Sequence, residues 1–164
     1  MRDLKIWDRW NETGGPKYPS EKVVQFCFRN YPPEVRNDVR VLDLGCGSGV
    51  HTKFLAEEGF QVTGIDHSVI GITNARKKLQ SSNLHAHLIV GDVADLDFPD
   101  NYFDLIICVG VFECTGFEIA VAAINKIRKI LCKKGRGIFI FASNHDFRIL
   151  GTNPLNLHGY TRVQ

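Results

Sequence analysis

The stretch that decides the fold is Val41-Leu42-Asp43-Leu44-Gly45-Cys46-Gly47-Ser48-Gly49-Val50. Its apolar first half predicts a short buried strand that carries a carboxylate, Asp43, near its carboxyl end. The three glycines that follow let the backbone turn sharply and approach a ligand without a Cβ in the way. Their spacing is Gly-x-Gly-x-Gly, whereas the dinucleotide form Gly-x-Gly-x-x-Gly would need a glycine where Val50 stands. Taken alone, the turn indicates either a cradle for a polar ligand or simply a tight connection between a strand and a helix.

Alternating strand and helix patterns continue after this turn. One helix, capped by Ser68, is expected to turn Val69 toward the sheet, and a later helix, ending near Gly135, is expected to turn Ile124 inward. Short apolar strands are predicted at residues 39–44, 60–65, 85–90, 103–109 and 137–142. Short apolar strands separated by helices predict a doubly wound α/β fold whose mostly parallel sheet is covered on both faces.

The chain is expected to form a single domain over residues 1–164, with helices before the sheet and a loop after it. Residues 1–38 predict a helical cap, and residues 39–142 predict the α/β core. Residues 143–164 read as a loop that leads toward a missing or truncated final strand pair. The fifth strand is apolar on both faces, as an internal strand would be, so a second copy or a partner chain is a candidate to cover it.

Composition narrows the classes of partner. The 164 residues carry a net charge of +2, which does not call for nucleic acid or an anionic membrane. The five cysteines form no Cys-x-x-Cys pair, which favours a reducing, cytoplasmic location and no structural zinc. His85 and His87 would share one face of a strand, but no third ligand is evident, so no metal site is predicted.

Acidic residues follow the next two strands of the predicted sheet. Asp66 ends the second strand, where a carboxylate can accept both hydroxyl hydrogens of a ribose. Asp92, in Gly91-Asp92-Val93, ends the third strand and is suited to an adenine amino group. A helix N-terminal charge is the alternative at Asp66, and a solvated turn is the alternative at Asp92. Three acids at consecutive strand ends, together with one glycine turn, favour a ligand that contains ribose and adenine.

Four segments together carry a family resemblance. They are Val-Leu-Asp-Leu-Gly-Cys-Gly-Ser-Gly, Val-Thr-Gly-Ile-Asp-His-Ser, Gly-Asp-Val-Ala-Asp-Leu and Phe-Asp-Leu-Ile-Ile-Cys. Over residues 39–142 the chain resembles the class I S-adenosylmethionine-dependent methyltransferases, which implies a Rossmann-like fold. The resemblance implies methyl transfer from S-adenosylmethionine to a small-molecule acceptor, with S-adenosylhomocysteine as product. Two alternatives stay open: a non-catalytic module that binds the methyl donor and needs a partner chain, and an NAD-dependent oxidoreductase.

The resemblance also implies where the methyl donor lies. The main chain of the glycine turn would back its methionine and ribose, and Asp43 would order that turn or reach the methionine amino group. Asp66 would hold the ribose hydroxyls, Asp92 would take the adenine amino group, and the carbonyl near Cys108 or Val109 would accept from the methionine. The expected cofactor-binding residues are Asp43, Gly45, Cys46, Gly47, Gly49, Asp66, His67, Asp92, Val93, Cys108, Val109, Trp10 and Tyr18. In that set, Trp10 and Tyr18 would belong to a lid, with packing on the sheet edge as the alternative.

Catalytic residues are not assigned by the sequence. Methyl transfer from a sulfonium displaces an already activated group, so positioning can supply most of the catalysis. A general base is needed only if the acceptor must lose a proton. His145 and Asp146, after the fifth strand, and Glu113, after the fourth, are candidates, and each is equally well a loop or cap residue. Cys46 is rejected as a nucleophile because no basic partner is visible near it.

Overall fold

Two helices precede the sheet in the computed structural model, which describes residues 4–141. After them, strands and helices alternate, and a helix is present wherever the sequence pattern indicated one. The elements are α1 (Leu4–Glu12), α2 (Glu21–Asn30), β1 (Arg40–Leu44), α3 (Val50–Glu57), β2 (Gln61–Asp66), α4 (Val69–Gln80), β3 (His87–Val90), β4 (Phe103–Val109), α5 (Phe117–Ile130) and β5 (Leu131–Ile140), with 3-10 helices at Pro33–Asp38 and Phe112–Cys114.

The five strands form one sheet in the order β3-β2-β1-β4-β5, and every pairing is parallel. This arrangement confirms the predicted doubly wound α/β fold. The direction of winding reverses between β1 and β4, and ligands of such folds bind beyond the carboxyl ends of the strands at that point. Because Leu44 lies opposite both Ile65 and Cys108, the ends of three strands meet at one edge of the sheet.

Helices cover both faces of the sheet. Because alternate residues of a strand point to opposite sides, one strand contributes to a core on each face. Leu42 and Ile106 belong to the core that α5 covers, whereas Val41 and Leu105 belong to the core that α2 and α3 cover. Burial on both faces explains why β1 and β4 read as almost continuous apolar runs, whereas the edge strands β3 and β5 are less buried. None of the helices between residues 4 and 141 has the length and apolar character that crossing a membrane requires.

The last helix and strand differ from the prediction. The structure ends α5 at Ile130 rather than near Gly135, and β5 already begins at Leu131. Pairing with β4 jumps from Leu131, opposite Phe103, to Arg136, opposite Leu105, so the start of β5 holds extra residues. The apolar helical spacing continues to residue 131, but backbone pairing with β4 overrides it.

Two residues expected on inner helical faces are exposed, so those predictions were wrong. Ile124 is 50% exposed because Ala123, Ile127 and Ile130 already fill the contact of α5 with the sheet. Val69 is 60% exposed, since α1 packs against the other side of the first turn of α4. The apolar stripe of each helix is therefore narrower than its sequence pattern suggested.

The predicted cap of α4 is confirmed and is also a contact between helices. Ser68 Oγ accepts a hydrogen bond from Gly71 N at 2.9 Å and donates one to Asp8 Oδ1 at 2.5 Å. We expect Ser68→Ala to lower the free energy of unfolding by about 1–2 kcal/mol, because it removes both bonds. Urea denaturation followed by circular dichroism measures the loss.

A matched control is available at the start of α2. Ser20 occupies the N-cap position there, but its side chain makes no capping hydrogen bond. Ser20→Ala should therefore change stability by no more than about 0.5 kcal/mol. Equal losses in the two variants would contradict the assignment of a working cap to Ser68 alone.

Candidate functional site

The glycine loop, residues 45–49 between β1 and α3, lies at the carboxyl edge of the sheet. Gly45, Gly47 and Gly49 have φ angles of +72°, +50° and +76°, in the left-handed region that favours glycine. The amides of Gly45 and Cys46 donate to the carbonyl of Ile65 at 2.8 and 3.0 Å. The loop is therefore tied to the end of β2 by two main-chain hydrogen bonds.

Asp66 is buried at the end of β2 and joins two loops. Its Oδ2 accepts from Gly47 N, and its Oδ1 accepts from Ser68 N, both at 2.8 Å. Each carboxylate oxygen has two acceptor positions, so each keeps one for a further hydrogen bond. The carboxylate therefore has two acceptor positions beyond those that hold the glycine loop and Ser68.

Asp43 is buried beneath the loop rather than at the surface. It accepts a hydrogen bond from Thr52 Oγ1 at 2.6 Å, which joins β1 to the first turn of α3. Burial raises the pKa of this carboxyl group, while His51 nearby works in the opposite direction. The Thr52 bond thus joins the elements on either side of the glycine loop, and both expected roles of Asp43 toward the methyl donor stay predictions.

The raised pKa of Asp43 has a testable effect on stability. Because the folded state favours the neutral acid, this group stabilises the fold below its unfolded pKa, and that contribution is lost as pH rises through the folded pKa. An asparagine at this position cannot ionise. We therefore expect the free energy of unfolding of Asp43→Asn, relative to the wild type, to rise from about pH 3 to about pH 7. Urea titrations across this range measure the difference, and parallel pH profiles for the two proteins would contradict it.

The residues after β3 form a turn. Asp92 Oδ1 accepts from Ala94 N at 2.8 Å, and the Asp92 carbonyl accepts from Asp95 N. Val93 is buried in the core beneath. Gly91 N donates to the carbonyl of Asp66 at 3.0 Å, so this turn lies directly beside the end of β2. The structure thus brings Asp92 and Asp66 to adjacent strand ends, as predicted.

The segment after β4 packs against the glycine loop. Val111 faces the glycine loop so closely that a Cβ on Gly45 would lie 2.3 Å from its Cγ2. Cys108 is buried, and burial raises the pKa of its thiol, with the nearby Glu113 adding to the effect. The sequence gives no sign of this contact, because nothing in the local pattern indicates which side chain after β4 meets a loop more than sixty residues earlier.

The remaining expected site residues have mixed placements. His67 Nδ1 lies 3.8 Å from Asp66 Oδ1, so His67 is beside the proposed ribose site. Trp10 and Tyr18 are 53% and 72% exposed, and their role as a lid stays a prediction. His145 and Asp146 lie outside the described residues. Burial raises the pKa of the Cys46 thiol well above its usual value, which agrees with its rejection as a nucleophile.

One buried residue beside the loop was not singled out by the sequence. Asn11, at the end of α1, accepts a hydrogen bond at its Oδ1 from Ser48 Oγ at 2.8 Å. Its carbonyl accepts from Asn74 Nδ2 of α4 at 2.6 Å. In the sequence, only the helical spacing of Asn11 from Trp7 and Asp8 could have indicated that Asn11 shares a face of α1 with them.

Within residues 4–141, no group of three or more His, Cys, Asp or Glu side chains is placed to hold a metal ion.

The chain is similar to known methyltransferases. A family model described as a methyltransferase domain matches residues 41–135. A ubiquinone biosynthesis O-methyltransferase of Rickettsia akari is 28% identical over 76% of this chain and 52% of that protein. An uncharacterized protein of Methanocaldococcus jannaschii is 32% identical over 98% of this chain and 73% of its own length. The chain spans about half the length of the O-methyltransferases that it matches.

Solved structures show the same fold. A TehB-like SAM-dependent methyltransferase from Corynebacterium glutamicum superposes with a TM-score of 0.61 at 25% identity, over 81% of this chain and 67% of that one. PKMT2 from Rickettsia typhi, solved in complex with AdoHcy, has a TM-score of 0.58 at 28% identity, over 65% of this chain and 24% of that one.

Proposed function

The chain belongs to the family of methyltransferase domains, and we propose from this premise that it transfers a methyl group from S-adenosylmethionine to a small-molecule acceptor. The observation that carries the proposal is the bond between the glycine loop and Asp66. Gly47 N donates to Asp66 Oδ2, so the loop and the carboxylate form one unit at the switch point of the sheet.

The residues at this edge fit S-adenosylmethionine. The glycine loop has a main chain without Cβ atoms at three positions, and Asp66 keeps two acceptor positions for ribose hydroxyls. Asp92, at the adjacent strand end, suits the adenine amino group. When bound, the sulfonium supplies a methyl group already activated for displacement. The protein's part is to position the two reactants and to exclude water around them.

The acceptor side is proposed to lie beyond β4 and β5. Glu113 is the described candidate for a general base, because it lies in the 3-10 helix after β4. An acceptor that carries no proton at the attacked atom would need no base. A small acceptor is supported by the near-neutral net charge of +2 and by relatives named ubiquinone biosynthesis O-methyltransferases.

Binding and turnover experiments test the proposal. Calorimetry should detect binding of S-adenosylmethionine and S-adenosylhomocysteine, with NAD as the matched control. A panel of small phenols, amines and thiols should then yield S-adenosylhomocysteine with at least one acceptor. Binding without turnover across broad panels would favour the non-catalytic module. Tighter binding of NAD than of S-adenosylmethionine would revive the oxidoreductase.

A cytoplasmic location and a partner at β5 are parts of the same proposal. Among the described residues β5 pairs with β4 alone, and an apolar edge strand exposes unpaired main-chain groups. A second copy or another chain is therefore proposed to cover it. Sedimentation or light scattering tests this, since a soluble monomer that does not aggregate would count against it.

A further inference from the structure

Asn11 fills a slot between the glycine loop and α4, and a glycine faces it on each side. A Cβ on Gly47 would lie 3.3 Å from Asn11 Oδ1, and a Cβ on Gly71 would lie 3.0 Å from its Nδ2. The side chain is almost completely buried. This close approach shows that α1 packs directly against the glycine loop.

The hydrogen bonds of Asn11 suit an amide at this position. Its Oδ1 accepts from Ser48 Oγ at 2.8 Å, while its Nδ2 donates to the carbonyl of Trp7 at 2.9 Å. Both polar atoms of the buried side chain are therefore satisfied. An apolar residue would leave the Ser48 hydroxyl without this acceptor, and a carboxylate would set a second oxygen against the Trp7 carbonyl.

α1 is also linked to Asp66 through Ser68. Asp8 Oδ1 accepts from Ser68 Oγ, and Ser68 N donates to Asp66 Oδ1. Asp66 Oδ2 accepts from Gly47 N, whose neighbour Ser48 is bonded to Asn11. The two oxygens of the Asp66 carboxylate therefore accept from the glycine loop and from Ser68, and α1 is hydrogen-bonded to both of these segments.

We propose that Asn11 is a positioning residue, which holds the glycine loop and Asp66 in the arrangement that binds the methyl donor. The inference rests on the proposed function, because it concerns the same site. Asn11 acts through Ser48 and Gly47 and need not touch the methyl donor. Docking of α1 and binding of S-adenosylmethionine are then thermodynamically coupled, so each favours the other by the same factor.

The test measures the dissociation constant of S-adenosylmethionine by calorimetry in four proteins. These are the wild type, Asn11→Ala, Ser48→Ala and the double variant. We expect each single variant to bind about tenfold more weakly, and the double variant to bind no more weakly than the worse single one, because both remove the same bond. Far-UV circular dichroism and urea denaturation measure whether each variant is folded. If Asn11→Ala does not fold, Ser48→Ala alone provides the test.

Asn30→Ala is the matched control. Asn30 Nδ2 donates to the Phe26 carbonyl of α2, which is the same i−4 bond that Asn11 makes in α1. This variant should bind S-adenosylmethionine as the wild type does. A reduction equal to that of Asn11→Ala would show a general loss of helical packing and would overturn the positioning role.

Hydrogen exchange supplies a second readout, because it reports α1 directly. In the wild type, S-adenosylmethionine should slow amide exchange in residues 7–12, and in Asn11→Ala this protection should be lost at equal saturation. If the wild type binds S-adenosylmethionine and both single variants bind it with unchanged affinity, the inference is overturned while the proposed function stands. Absence of S-adenosylmethionine binding by the wild type would overturn the proposed function, and the inference with it.

Discussion

Asp66→Ala is expected to weaken S-adenosylmethionine binding by about 3 kcal/mol, on the order of a hundredfold in Kd. The change removes the acceptor proposed for the two ribose hydroxyls, and hydrogen bonds to a charged acceptor contribute more than neutral ones. It also leaves the amides of Gly47 and Ser68 without the carboxylate that now accepts from them, so the glycine loop keeps only its main-chain bonds to Ile65 of β2. Calorimetric titration measures the loss.

Two further variants sharpen this result. Asp66→Asn keeps the shape but carries one acceptor oxygen instead of two, so its affinity should fall between those of the wild type and Asp66→Ala. Asp104→Ala removes a carboxylate near the amino end of β4, where Asp104 is paired with Arg40 at 3.1 Å. That variant should leave the Kd unchanged. Unchanged affinity in Asp66→Ala would remove the ribose assignment.

Gly49→Ala is expected to lower the free energy of unfolding by about 3 kcal/mol. The φ angle of +76° disfavours any residue with a Cβ. The new Cβ would also lie 2.6 Å from Ala75 Cβ and 3.0 Å from Ala75 Cα. Because Ala75 is on the buried face of α4, this helix cannot move aside without disturbing the core. Urea denaturation followed by circular dichroism measures the change.

Gly14→Ala separates the two causes of that loss. Gly14 has a φ angle of +84°, but a Cβ there would meet nothing within 4 Å. It should therefore cost only the backbone strain, about 1 kcal/mol. Replacing Ala75 by glycine in the Gly49→Ala background should recover part of the steric loss. Equal destabilisation by Gly49→Ala and Gly14→Ala would show that packing against α4 is unimportant.

The bounds of the central strands were predicted nearly to the residue, because the residues that define each strand are adjacent in the sequence. The fourth strand was predicted at 103–109 and is observed as Phe103–Val109, while β1 begins one residue later than expected. Both are short apolar runs that are buried on two faces and bounded by turn residues. The start of β5 was missed because residues 131–136 carry no strand pattern of their own. Their strand geometry comes from pairing with β4.

By itself, the sequence determined the order of strands and helices, the position of the glycine loop and the carboxylates at three strand ends. Each of these depends on the conformational freedom of glycine, on the spacing of apolar residues or on side-chain chemistry. Only the tertiary structure decided which distant residues meet the loop. Asn11 reaches Ser48 across 37 positions, and Ser68 reaches Asp8 across 60. Such contacts depend on how α1 packs against the completed α/β core, and no local pattern along the chain encodes that packing.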